Sequence, residues 1–122
     1  MPRLYTLLVF DGTIRGTAEV YTSPQHNDAL GRADDCVIEY EVSEASGGSP
    51  TLTVKHYHSC SQEDGAWKLK NTVFSAVSLS SLPVRDTTGS AGDFAGFARL
   101  GFTLGGSTPV ARLRVWVTGR SN

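Results

Sequence analysis

The sequence is poor in cysteine, in unbalanced charge and in long apolar runs, and each shortage excludes a class of protein. Two cysteines among 122 residues are too few for the disulfide framework of a small secreted domain. The 11 basic and 12 acidic residues leave a net charge of −1, which gives no electrostatic reason to expect nucleic acid or an anionic membrane as a partner. No apolar segment is long enough for a transmembrane helix. With 39% hydrophobic and 19% charged residues, the chain has the composition of an ordinary soluble domain with one core.

The N-terminal segment MPRLYTLLVFDG predicts a first strand and not a secretory signal, because its apolar run stops at Asp11-Gly12. The initial methionine and the lack of a signal lead us to expect synthesis in a cytoplasm. For Cys36 and Cys60 we expect two buried thiols, since unpaired cysteines are usually interior. A disulfide between them is the first alternative, and metal binding is the second.

The clearest local signal is the stretch 51–72, TLTVKHYHSCSQEDGAWKLKNT. Leu52, Val54, His56 and His58 alternate with polar residues, which is the period of a strand with one buried face. The segment Glu63-Asp64-Gly65 predicts a turn, where the glycine can adopt positive φ. Alternation resumes after the turn. The stretch therefore predicts a β-hairpin.

The same alternation predicts strands along most of the chain. Asp11-Gly12 has the composition of a hairpin turn, and the segments 23–34, 44–50 and 83–93 and the turn at 105–107 are rich in polar residues, glycine or proline. Beyond the hairpin, the predicted strands are 3–10, 13–22, 35–42, 72–82, 94–104 and 109–119. Residues 1–122 are thus predicted to form a single all-β domain, an antiparallel two-sheet β-sandwich of about eight strands with a jelly-roll-like arrangement.

Chemical motifs are scarce. His56, His58 and Cys60 share one strand face, but neighbours on that face are separated by about 7 Å, which suits a metal site poorly. The acidic residues between Asp34 and Glu44 lack the pattern of a calcium loop and are typical of a solvated face. No nucleophile elbow, phosphate-binding loop or dinucleotide fingerprint occurs. We therefore predict no catalytic residue, no cofactor and no metal.

Contact residues are predicted mainly on the last strand. Arg112, Arg114 and Trp116 alternate with apolar residues and should project outward, and arginine and tryptophan are enriched at interface hot spots. An edge strand protected by charge would give the same pattern. The long loops add His26, Asn27 and Arg85 as candidate partner-binding residues.

Two segments resemble small virion proteins of tailed bacteriophages. One is the S-x-x-D-G-x-W stretch from Ser61 to Trp67. The other is the C-terminal segment 97–109, FARLGFTLGGSTP, together with residues 111–120. Together they are similar to the ending of head decoration and minor capsid (cement) proteins of β-sandwich type, over about the last half of the chain.

This resemblance implies a non-enzymatic protein of the virion surface, made in a bacterial cytoplasm. Its partner would be the major capsid protein of a virus shell, which it would decorate and reinforce as a dimer or trimer, without nucleic acid or membrane contacts. The alternative is a carbohydrate-binding β-sandwich module in which Trp67, Trp116 or Tyr57 stacks against a sugar ring.

Overall fold

The computed structural model describes residues 3–32, 35–63, 65–91 and 96–121. Six strands account for most of this part of the chain, and all strand pairs are antiparallel. They are β1 (Arg3–Arg15), β2 (Val20–Tyr21), β3 (Asp35–Ser59), β4 (Lys68–Ser78), β5 (Val84–Ala91) and β6 (Phe97–Ser121). A 3₁₀ turn (Pro24–His26) and the helix α1 (Asn27–Gly31) follow β2. No helix in the described ranges is long and apolar enough to cross a membrane.

The pairing forms two layers because β3 and β6 are long enough to belong to both. In the first layer, the order is β1, the second half of β6, the first half of β3, and β5. In the second layer, the order is β2, the first half of β6, the second half of β3, and β4. When β3 and β6 are each counted once in each layer, the six strands give eight strand segments. The predicted antiparallel, jelly-roll-like β-sandwich of about eight strands is confirmed.

Glycines mark the places where the two long strands turn from one layer into the other. Gly47 and Gly106 have φ angles of 114° and 106°, values that residues with a Cβ atom rarely adopt. A Cβ on Gly106 would lie 2.5 Å from the carbonyl oxygen of Gly48, and one on Gly47 would lie 2.8 Å from that of Ser107. The register of the β3–β6 pair shifts in the same region. The bend therefore depends on close backbone contact as well as on positive φ.

The core lies between the two layers. Aromatic rings meet across it: Phe10 packs against Phe102 at 5.1 Å between ring centroids, and Tyr40 packs edge-on against Phe74 at 4.6 Å. The inner positions of the two long strands are almost fully buried, as their alternation predicted: Cys36, Ile38, Tyr40, Val42, Leu52, Val54, His56, Ala98, Leu100, Phe102, Leu104, Ala111, Leu113, Val115 and Val117.

Five local predictions were wrong, and long-range pairing explains four of them. Asp11-Gly12 is not a hairpin turn, because Asp11 pairs with Arg114 and Gly12 with Leu113 inside β1. Of the predicted strand 13–22, only the beginning and residues 20–21 are strand. The predicted loop 83–93 contains β5, which pairs with β3. The predicted turns at 44–50 and 105–107 lie within continuous strands that are bent there. At the four segments predicted as turns or loops, a neighbouring strand overrides a weak local preference.

The cysteines differ in environment. Cys36 is buried, as predicted, but Cys60 is exposed, because it follows the end of β3 and lies outside the paired region. No disulfide joins these two cysteines, both of which lie in the described part of the chain.

Candidate functional site

The outer surface of the first layer carries four of the six predicted partner-binding residues: Arg85, Arg112, Arg114 and Trp116. We call this surface the arginine–tryptophan face and define it by Leu8, Asp11, Val37, Glu39, Glu41, Arg85, Arg112, Arg114 and Trp116. The strand register places these residues together, since Trp116 pairs with Leu8 on one side and with Glu39 on the other. The outward orientation predicted for the last strand is thus found in the structure.

Trp116 is half-buried and lies between two cations. The guanidinium carbons of Arg85 and Arg114 lie 5.1 and 5.2 Å from the centre of its ring. These distances fit cation–π contacts. Arg85 comes from β5 and Arg114 from β6, so the contacts link two strands that do not pair with each other.

The arginines are held in place by carboxylates on the neighbouring strands. Arg114 donates to Glu41 at 2.5 Å, and Arg85 donates to both Glu39 and Glu41. Arg112 forms an ion pair with Asp11 at 2.5 Å. The hydrogen bond from Arg114 holds the pKa of Glu41 below its usual value. The charged groups of this face are therefore oriented before any partner arrives.

Two aliphatic side chains complete the arginine–tryptophan face. Leu8 is 46% exposed and Val37 is 47% exposed. Val37 pairs with Thr118, two positions along from the pair between Glu39 and Trp116 and so on the same face. Beyond Val37, Thr6 and Thr118 share a hydrogen bond of 2.9 Å. The result is a surface on which apolar side chains lie beside a cluster of ion pairs.

The remaining two predicted contact residues lie elsewhere. His26 lines a surface cavity of about 360 Å³ beside Leu8, Phe10 and Tyr21. Asn27 is buried and donates from its side-chain amide to Gln62 Oε1 at 2.9 Å. Asn27 thus ties α1 to the segment after β3 and is not a surface residue.

A second cluster lies on the outer surface of the other layer. We call it the aromatic hollow and define it by Glu19, Tyr21, Tyr57, Trp67, Leu69, Arg99 and Gly101. The register explains it: Tyr21 pairs with Gly101, and Tyr57 lies between Arg99 and Leu69. Sequence reasoning identified Tyr57 and Trp67 but missed Glu19, Tyr21 and Arg99. The outward position of Arg99 in an alternating strand was an available signal.

Glu19 accepts hydrogen bonds from both tyrosines of the hollow. The hydroxyl groups of Tyr21 and Tyr57 each donate to the Glu19 carboxylate at 2.7 Å. Burial and the bond to Glu19 raise the pKa of Tyr57, and the same bond raises that of Tyr21. Both hydroxyls thus remain donors at neutral pH.

Arg99 lies between two aromatic rings. Its guanidinium carbon is 3.7 Å from the centre of the Tyr21 ring and 4.4 Å from that of Trp67. Its Nε is buried and has no hydrogen-bond partner within the described ranges. The stacking fixes the plane of the guanidinium group.

Gly101 lies directly beneath Glu19 and Tyr57. A Cβ at this position would lie 2.4 Å from Glu19 Oε2 and 2.9 Å from a ring carbon of Tyr57. The lack of a side chain is therefore what allows the carboxylate and the ring to lie across the strand.

The three residues considered for a metal site are separated by their environments. His56 is buried, His58 is half-buried and Cys60 is exposed. Among the residues that the structure describes, no three His, Cys, Asp or Glu side chains come together as a metal would require.

No protein-family model matches this chain, and no curated protein matches it. Its fold, however, is similar to that of several solved structures. A viral capsid protein in the structure of the infectious bursal disease virus Gt strain shares 12% identity with a TM-score of 0.55, over 96% of this chain and 32% of that one. At this identity, the likeness shows a common β-sandwich fold alone.

Two further similar structures contain xylanase modules. The N-terminal CBM22-1–GH10 part of Clostridium thermocellum xylanase 10B, in complex with xylohexaose, gives 11% identity and a TM-score of 0.59, over 99% of this chain and 25% of that one. The CBM22-1 xylan-binding domain of Paenibacillus barcinonensis Xyn10C gives 9% and 0.53, over 92% and 83%. This chain thus spans about a third of the viral protein and a quarter of the Clostridium chain.

Proposed function

We propose that this protein is a non-enzymatic virion component that decorates and reinforces a bacteriophage capsid by binding the major capsid protein through the arginine–tryptophan face. One observation carries the proposal: the exposed Leu8 and Val37 and the half-buried Trp116 lie on one outer surface beside a cluster of paired arginines and carboxylates. Protein–protein interfaces combine apolar and polar side chains of these kinds.

The composition of the face also favours a protein partner. Arginine and tryptophan carry a large share of the binding energy at interfaces, especially where they lie near the centre. Because Glu39 and Glu41 already hold Arg85 and Arg114, less side-chain freedom is lost on binding. Preorganisation of this kind increases affinity without adding contacts.

The resemblance of the C-terminal half to phage decoration proteins supports a capsid as the partner. The jelly-roll fold agrees with this role, and the viral structural neighbour has the same general fold. In the proposed mechanism, a dimer or trimer made in the bacterial cytoplasm bridges adjacent shell subunits. Binding to the assembled shell stabilises it by mass action, and many repeated sites make weak contacts effective.

A sedimentation experiment tests the proposal. Purified protein is mixed with empty shells of the cognate major capsid protein, and the shells are pelleted. Wild-type protein should pellet with a fixed number of copies per shell. Trp116→Ala should reduce occupancy by about tenfold or more, as truncation of an interface hot spot does. Lys68→Ala, an exposed change on the second layer, is the matched control and should pellet like the wild type.

Two outcomes would contradict the proposal. If the wild-type protein does not pellet with shells, the capsid function is wrong. If Trp116→Ala pellets as well as the wild type, attachment occurs through another surface. Circular dichroism of each variant must first show an unchanged β spectrum.

The carbohydrate-binding alternative has a specific observation in its favour, although not at Trp116. Two cations, Arg85 and Arg114, lie near the Trp116 ring, whereas the Trp67 ring has one, Arg99, at 4.4 Å. Tyr57 and Trp67, by contrast, lie in the aromatic hollow. Two of the structural neighbours are described as xylan-binding or as bound to xylohexaose.

A further inference from the structure

We propose that the aromatic hollow binds a neutral saccharide, independently of capsid attachment through the arginine–tryptophan face. The two sites lie on the outer surfaces of different layers, and the inner surfaces of those layers pack against each other. Their main surfaces therefore lie on opposite sides of the sandwich, and they approach each other where Leu8 and Tyr21 line the same cavity. A copy attached to a shell through the first layer would present the hollow to the surrounding solution. The proposal keeps the sugar-binding alternative and gives it a site of its own.

The walls of the hollow are aromatic and partly exposed, and Arg99 covers part of the Tyr21 and Trp67 rings at 3.7 and 4.4 Å from their centres. Tyr21 is 38% exposed and Leu69 is 52% exposed, while Tyr57 and Trp67 are half-buried. Tyr21 and Tyr57 meet edge to face, with their ring centres 6.0 Å apart. Small-molecule sites combine such apolar walls with a few fixed polar groups. The C–H face of a pyranose ring is an apolar surface that suits these walls.

The polar groups of the hollow match hydroxyl groups. The Glu19 carboxylate already accepts from Tyr21 and Tyr57, yet a carboxylate has about four acceptor positions. Arg99 has five N–H donors in a fixed fork; its Nε is buried, so a ligand would be bound by the terminal N–H groups. A sugar hydroxyl donates and accepts at the same time. Glu19 and Arg99 thus supply the two complementary functions within one site.

The same two residues argue for a neutral ligand. A uronate or phosphate would gain from Arg99 but would meet the Glu19 carboxylate, which two tyrosines hold in place. An anionic ligand in contact with Glu19 would be repelled by its carboxylate, and the repulsion is stronger in a partly buried site than in water. An uncharged, hydroxyl-rich ring interacts favourably with both groups.

Gly101 makes the site preorganised. Because it has no side chain, Glu19 and Tyr57 lie directly across the strand. The stack of Tyr21, Arg99 and Trp67 then fixes the remaining wall. A ligand would therefore find its donors and acceptors already oriented.

Titration of the full chain with defined oligosaccharides tests the proposal. Xylohexaose, cellohexaose and mannohexaose serve as neutral probes, and hexagalacturonate serves as the acidic probe. Binding is followed by two-dimensional ¹H–¹⁵N NMR, in which each of the two tryptophans contributes one indole N–H signal. At least one neutral probe should shift the Trp67 signal in a saturable manner and leave the Trp116 signal in place.

Variants identify the groups involved. Trp67→Ala should lower the affinity by about tenfold or more, since an aromatic contact and its buried area are lost. Glu19→Gln keeps the shape and removes the charge, and it should lower affinity by about tenfold, because hydrogen bonds to charged groups are the stronger ones. Thr87→Ala, an exposed change on β5, is the control and should bind like the wild type.

Three outcomes overturn the proposal: no neutral probe binds at millimolar concentration, only hexagalacturonate binds, or binding survives in both Trp67→Ala and Glu19→Gln. None of these results affects capsid sedimentation, which depends on the other face. Failure of the sugar site and failure of the capsid function are therefore distinguishable.

Discussion

Mild acid should destabilise this protein through one buried histidine. His56 lies on the inner face of β3 and is 1% exposed. Burial, followed by the positive charges of His58 and Lys70, lowers its pKa from 6.5 to about 4. In the folded protein, His56 therefore remains neutral at pH values where the same side chain in the unfolded chain is protonated.

The sign and size of the effect follow from proton linkage. Between pH 6.5 and about 4, the unfolded chain binds more protons at this position than the folded one does, so stability falls as the pH falls. Within that interval, each pH unit changes the free energy of unfolding by up to about 1.36 kcal/mol. His56 thus accounts for a loss of about 3 kcal/mol between neutral pH and pH 4. This is a large share of the total stability of a small domain.

Urea denaturation at pH 7, 5.5 and 4.5 measures this loss. His56→Gln removes the titrating group, so its free energy of unfolding should fall less between pH 7 and 4.5 than that of the wild type, by about 2 kcal/mol. The carboxylates titrate in both proteins, so their contribution cancels when the pH dependence of the free energy of unfolding is compared between the two. Equal pH dependence in the two proteins would refute the reasoning, whatever the absolute stability of the variant.

Other substitutions test the packing, the strand bends and the hollow. Phe102→Ala should lower the free energy of unfolding by about 3–5 kcal/mol in urea, since it leaves a cavity beside Phe10; a loss below about 1 kcal/mol would contradict the described core. Gly47→Ala should destabilise by about 1–3 kcal/mol because of its positive φ, and an unchanged melting temperature would argue against the bend. Gly101→Ala should displace both the Glu19 carboxylate and the Tyr57 ring, so that any saccharide affinity is lost. Titration with the neutral probes checks this, and unchanged binding would count against the hollow.

The fold class was predictable from the sequence because alternation was strong where burial was complete. The inner residues of β6, from Ala98 to Leu104 and from Ala111 to Val117, follow period two in each layer. The places where prediction failed have a common cause. Asp11-Gly12 has the local chemistry of a turn, but a 25-residue partner strand keeps it paired. Local preference cannot reveal that a long neighbour is present.

The binding faces were predictable to different degrees. Arg112, Arg114 and Trp116 share one strand, so alternation alone placed them together. Arg85 joined them only through β5, in a segment predicted as a loop. The aromatic hollow draws on Glu19 and Tyr21, which are separated from Arg99 by about 80 positions in the sequence. No short-range pattern links such residues, and the strand register that unites them is a property of the folded chain.

The two bent strands also determine how the molecule carries a load. Because β3 and β6 each run through both layers, a force applied at one outer surface reaches the other along covalent backbone as well as through side-chain packing. Separating the layers would require the simultaneous rupture of hydrogen-bonded ladders on both sides of the bends. Two strands shared between the layers in this way resist shear. We expect single-molecule pulling across the two faces to show one unfolding event, and not a stepwise separation of the sheets.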